Sequence, residues 1–121
     1  MFKFEQLDIW KDAIQFTNKI YLLTKKFPSD ERFALTDQLR RAAASIPANI
    51  AEGSGSSSKK DFAHYVDISI KSTYEVVSHL QIAKEQQYTS IEQVQELYYE
   101  AEILVKKMKS FKSWLSKTIS Y

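Results

Sequence analysis

A chain of 121 residues without cysteine is long enough for one domain with a real core, and it excludes a disulfide framework and a thiolate metal site. Hydrophobic residues make up 44% and charged residues 26%, with only two glycines and two prolines, too few for the turns of a many-stranded sheet. A net charge of +2 does not argue for nucleic acid by itself. The charged N-terminus MFKFEQLDIWKD and the lack of any long apolar run predict no signal peptide and no membrane span, with the cytoplasm as the default location.

The first periodic segment runs from about Gln6 to Lys26, with Ile9, Ala13, Phe16, Thr17, Ile20, Leu23 and Thr24 on one broad face. Lys25 and Lys26 suit its C-terminus, and Phe27-Pro28 stops it. Ser29–Phe33 reads as a short connection with room for a helical turn. A second helix starts by Leu35 and runs to about Glu52, with Gly53 as its C-terminal cap. The segment Ser54–Ser58, SGSSS, reads as a flexible linker and ends in a capping-box pattern, Ser58 to Asp61.

A third helix from about Lys59 to Gln86 carries Phe62, Val66, Ser69, Ile70, Thr73, Val77, Leu80 and Ala83 on its core face. A turn at Gln87–Thr89 leads to a second capping-box pattern, Thr89 to Glu92. The fourth helix then runs to about Ser116 with Leu97, Ala101, Leu104, Met108, Phe111 and Leu115 as its stripe. Its acids come early and its lysines late, as the helix dipole favours. With no strand pattern or repeat, the fold class is all-α: one domain over residues 1–121, an antiparallel up-down-up-down four-helix bundle.

The second helix breaks two rules. Pro47 has no N–H for the carbonyl of Ala43 and clashes with it, at a cost of about 3 kcal/mol in a regular helix interior. The helix is therefore expected to kink there, with Asn49 satisfying freed backbone groups. Its side opposite Leu39, Ile46 and Ile50 carries Arg41, Ala44, Ala48, Ala51 and Glu52, small and apolar where a solvated face carries Lys, Glu and Gln. On the third helix Ile68, Glu75 and Ile82 recur at heptad spacing opposite the core. Together these residues define a candidate subunit interface, with Arg40 or Arg41 pairing across it with Glu75 or Glu52. Arg40, Pro47, Asn49 and Gly53 form its structural motif.

Catalytic chemistry has no constellation to rest on. His64 and His79 lie on one helix and outside any Glu-x-x-His pair, so neither a metal nor another cofactor is expected. The serines cluster in the linker without a base and an orienting acid, and the Gly-Ser segment lacks the Gly-Lys-Ser/Thr ending of a phosphate loop. Lys106–Lys117, KKMKSFKSWLSK, interleaves basic and aromatic residues. Lys106, Lys109, Lys112 and Lys117 are candidate nucleic-acid contacts there, with Trp114 for stacking.

The stretch QLRRAAASIPANIAEG, Gln38–Gly53, resembles the signature of the four-helix-bundle family named after proteins encoded in intervening sequences of bacterial 23S rRNA genes. Trp10, Phe27-Pro28, Glu31 and Leu35 upstream, and Lys60-Asp61-Phe62, Ser72, Glu75 and Leu80 downstream, match it in spacing. The chain departs from the pattern at Ser56, where an Arg is common, and at Lys71, where a Gly is common. The resemblance implies a non-enzymatic homo-oligomer, commonly a pentameric ring, associated with ribosomal or other structured RNA. The fold is also similar to that of diversity-generating retroelement accessory proteins, which bind a larger protein and nucleic acid. A protein-protein adaptor without direct RNA contact is the alternative.

Overall fold

In a computed structural model, which describes residues 1–119 and side chains through Lys117, the chain forms four α-helices. These are α1 (Asp8–Thr24), α2 (Leu35–Ser54), α3 (Lys59–Glu85) and α4 (Ile91–Ile119). Short 3-10 turns occupy Lys3–Gln6 and Ser29–Glu31, and no strand occurs among the described residues. Around the bundle α1 packs on α2 and α4, and α3 packs on the same two helices. The fold is all-α, a four-helix bundle around a shared apolar core.

The face expected on α1 is the one that is buried, from Ile9 through Thr24. On α4 the stripe from Leu97 to Leu115 is also buried, with Phe111 half-buried beside it and Val94 added. On α3 the structure buries Val76 fully and leaves Val77 half-buried. Helix α3 contacts two neighbours, so its buried arc is wider than the single stripe read from its spacing.

Helix ends follow local chemistry. Ser58 accepts from the Asp61 N–H at 3.1 Å to start α3. Helix α4 is capped by Ser90, which accepts from the Gln93 N–H at 3.1 Å, one residue later than the expected Thr89–Glu92 box. Thr89 bonds the Gln93 side chain instead. At the end of α3, Gln87 takes a left-handed φ of 63°. The Tyr88 N–H reaches Ala83 O at 3.0 Å and the Gln87 N–H reaches Lys84 O at 2.9 Å, a Schellman arrangement built without glycine. Tyr88 then donates to Glu31 at 2.8 Å, tying this turn to the connection between α1 and α2; that bond and the nearby carboxylate hold the Tyr88 phenol above its ordinary pKa.

Gly53 is not the cap of α2. The helix continues to Ser54 and ends at Gly55, whose φ of −88° is open to other residues. Gly53 is needed for a close approach. A Cβ there would lie 2.7 Å from Phe62 Cδ1 and 2.8 Å from Tyr65 Cβ on α3. Tyr65 Cβ cannot move without its backbone. In Gly53→Ala the gain in helix propensity, about 1 kcal/mol, opposes an overpacking cost of about 1–3 kcal/mol. The clash wins, and denaturant unfolding will give Gly53→Ala a net loss of about 1 kcal/mol.

Candidate functional site

The Gln38–Gly53 stretch lies on α2, and Pro47 is buried inside that helix. Without an N–H at Pro47, the Ala43 carbonyl lacks its usual intrahelical partner. The buried hydroxyl of Thr17 on α1 lies 3.0 Å from it as donor, while also lying 2.8 Å from Ala13 O in its own helix. One proton serves two carbonyls in a three-centre arrangement. Two carbonyls nearby also take side-chain donors. Asn49 Nδ2 donates to Ser45 O and Ser69 Oγ on α3 to Ile46 O, each at 2.8 Å. Asn49 thus bonds the backbone at Ser45 O rather than at the carbonyl that the proline orphans, which Thr17 serves. The signal was a threonine in the middle of the core stripe of α1.

Within the chain Arg40 is engaged with α1. Its Nε donates to Thr24 Oγ1 at 2.8 Å and its Nη2 to Tyr21 O at 3.4 Å, with the guanidinium 4.7 Å from the Tyr21 ring centroid. It caps the C-terminal turn of α1, where a cation is favourable. Arg41 is exposed and pairs with Asp37 on its own helix at 2.8 Å. Within the chain neither arginine meets Glu75 or Glu52.

The Ser45 and Ser72 hydroxyls are hydrogen-bonded across the α2–α3 contact. Helical spacing sets Arg41, Ala48 and Glu52 one or two turns along α2 from that contact, and Ile68 and Glu75 one turn either side on α3. Ala44, Ala51 and Ile68 are half-buried, while Ala48, Glu52, Glu75 and Ile82 are exposed. Arg41, Ala48, Glu52, Ile68 and Glu75 therefore border one α2–α3 face. His79, one turn from Glu75, is half-buried, and its Nδ1 has no hydrogen-bond partner among the described residues. No group of three or more potential metal ligands occurs there, and no helix is long and apolar enough to cross a membrane.

The α4 lysines divide into two sets. Lys107 pairs with Asp12 on α1 at 2.7 Å and Lys112 with Asp67 on α3 at 3.1 Å, with Lys71 reaching the same carboxylate at 3.5 Å. Lys19 of α1 pairs with Glu100. Apart from Lys71–Asp67, which lies within α3, these are ties between helices, so Lys112 is partly occupied as a candidate contact. The Lys112 hydrogen bond holds the Asp67 carboxyl below the ordinary value despite its partial desolvation. The stability this adds is present above the ordinary Asp range and is lost as pH falls through it. Asp12 raises Lys107, so that pair persists until the pH rises past the ordinary lysine range.

Lys106, Lys109 and Lys117 make no ion pair among the described residues. Trp114 is half exposed, but Lys59 Nζ lies 5.7 Å from its ring centroid and Phe111 packs against it at 5.7 Å. Lys106 and Lys109 line a groove between α3 and α4 together with Tyr74 and Tyr98. Neither tyrosine stood out in the sequence, because each lies outside the apolar stripe.

This architecture defines an all-helical bundle protein whose last helix carries cations that make no ion pair among the described residues. The chain belongs to the 23S rRNA-intervening sequence protein family, whose model matches residues 5–110. The fold is similar to the 1.70 Å crystal structure of a protein of unknown function from the S23 ribosomal protein family of Bacteroides thetaiotaomicron VPI-5482. That likeness has a TM-score of 0.76 at 22% identity and covers 86% of this chain and 97% of that one. No curated protein matches the chain.

Proposed function

We propose that this protein is a non-enzymatic homo-oligomer that associates with structured RNA, of the 23S rRNA kind, through the basic surface of α4. The observation that carries the reading is the set of α4 cations without an ion pair among the described residues, Lys106, Lys109 and Lys117, on a member of a family named for 23S rRNA intervening sequences. Lysines already neutralised by protein carboxylates release few counterions on binding, whereas unpaired ones contribute fully. The place of action on this reading is the cytoplasm.

Assembly uses the α2–α3 face, where Ala44, Ala48 and Ile68 offer a small apolar surface and Glu75 a polar element. The family resemblance points to a ring of five. A repeated α4 would then sum modest fields into a basic surface.

Binding of the protein to 23S rRNA fragments, measured by fluorescence anisotropy across a salt series, will weaken steeply as salt rises. Lys106→Gln with Lys109→Gln will weaken it further and flatten the salt slope. Salt-insensitive or absent binding overturns the RNA reading, and recovery of a protein partner after nuclease treatment then favours the adaptor.

Ala48 is exposed, so Ala48→Glu leaves the single-chain fold intact. Sedimentation will show it dissociated where the unmutated protein is oligomeric, with helical content retained. A monomeric unmutated protein at high micromolar concentration removes the assembly reading.

A further inference from the structure

The groove between α3 and α4 combines features that the basic surface alone does not explain. It has a volume of about 520 Å³, within the range of roughly 300–1,000 Å³ typical of small-molecule sites. Its floor is apolar, with Val77, Ala101 and Val105, and its sides carry Tyr74 and Tyr98. Those rings are 50% and 43% exposed, too open to be core residues, and they stand on different helices. Lys106 and Lys109 line the same groove.

Charge extends the pattern at one end. Lys112 and Lys71 both reach Asp67, and helical spacing places Lys71 and Lys109 each one turn from that contact. Lys106 and Lys109 line the groove beside one carboxylate, Glu102, and Lys71 and Lys112 share the single carboxylate of Asp67 beyond it, leaving an excess of positive charge. A ligand that fills the groove is therefore aromatic in its body and anionic beside it. A duplex offers only its phosphates to such a surface, because its bases are stacked inside. An unpaired nucleotide offers both a flat ring and a phosphate.

Building on the RNA reading above, we propose that the α3–α4 groove seats an unpaired base of single-stranded RNA against Tyr74 and Tyr98, with Lys106 and Lys109 on the flanking phosphates. The protein then selects loops and single-stranded segments within a structured RNA over its paired stems. Trp114 lies outside this groove and is not needed for it.

The test compares a labelled single-stranded oligoadenylate with an RNA duplex of the same length, bound to the full chain. The single strand will bind more tightly. Tyr74→Ala and Tyr98→Ala will each weaken single-strand binding about tenfold and leave duplex binding unchanged, while Tyr74→Phe and Tyr98→Phe, which keep the ring, will bind as the unmutated protein does. Circular dichroism and sedimentation check that the variants keep fold and assembly. If the alanine variants bind single strands normally while Lys106→Gln with Lys109→Gln binds both RNAs weakly, the groove proposal fails and the RNA reading stands. If neither RNA binds, both fail. If Tyr74→Ala changes the sedimentation and not the RNA affinity, the groove is a contact between copies of the chain and the proposal is overturned.

Discussion

A proline inside a helix leaves one carbonyl without its partner, and in this bundle a neighbouring helix supplies it. Pro47 frees Ala43 O, and the Thr17 hydroxyl of α1 takes it. An unpaired carbonyl in a dry core costs about 1–3 kcal/mol, so the proline is tolerated only where α1 presents that hydroxyl. The depth and register of α1 against α2 follow. Arg40 extends the same contact by closing the last turn of α1 through Thr24 and Tyr21. On its other side α2 is drawn onto α3 by Ser69 at Ile46 O, by the Ser45–Ser72 bond and by the bare Cα of Gly53.

Most polar residues of the Gln38–Gly53 stretch are thereby occupied in construction. Arg40 bonds the Thr24 hydroxyl and Tyr21 O, Asn49 bonds Ser45 O, Arg41 bonds Asp37, and Gly53 admits α3. What α2 leaves exposed is mainly Arg41, Ala48 and Glu52. Helix α4 shows the division most clearly. Lys107 and Lys112 hold it to α1 and α3, while Lys106 and Lys109 turn toward the groove. Each exposed ion pair contributes little, at most about 1 kcal/mol, so the ties matter for which lysines remain available more than for stability.

Helix number and core faces were legible because hydrophobic spacing is set by burial alone. The stripe of α1 required no tertiary information, and that of α4 required almost none. Three features were not legible for physical reasons. Gly53 reads as a cap because glycine ends helices, yet its role depends on how near Phe62 and Tyr65 come from α3. Val76 was passed over because it lies beside the stripe read from spacing, and only the close packing of α3 on both α2 and α4 buries it. Thr17 was placed on the core face, but its task depends on a proline 30 positions away. The candidate site was legible in part: the lysines were visible, but their sorting into paired and unpaired needed Asp12 and Asp67 on other helices. Tyr74 and Tyr98 gain meaning only from the groove.

The dependence of α2 on α1 is measured most directly by a double-mutant cycle between Thr17→Val and Pro47→Ala, followed by denaturant unfolding at fixed protein concentration. Thr17→Val alone removes the donor and leaves Ala43 O unpaired in the core, at a cost of about 1–3 kcal/mol. Pro47→Ala restores an N–H within α2, so Thr17→Val in that background will cost clearly less, with a coupling of at least about 0.5 kcal/mol. Additive losses would contradict the account, because Thr17 would then be stabilising the bundle by a route independent of the proline.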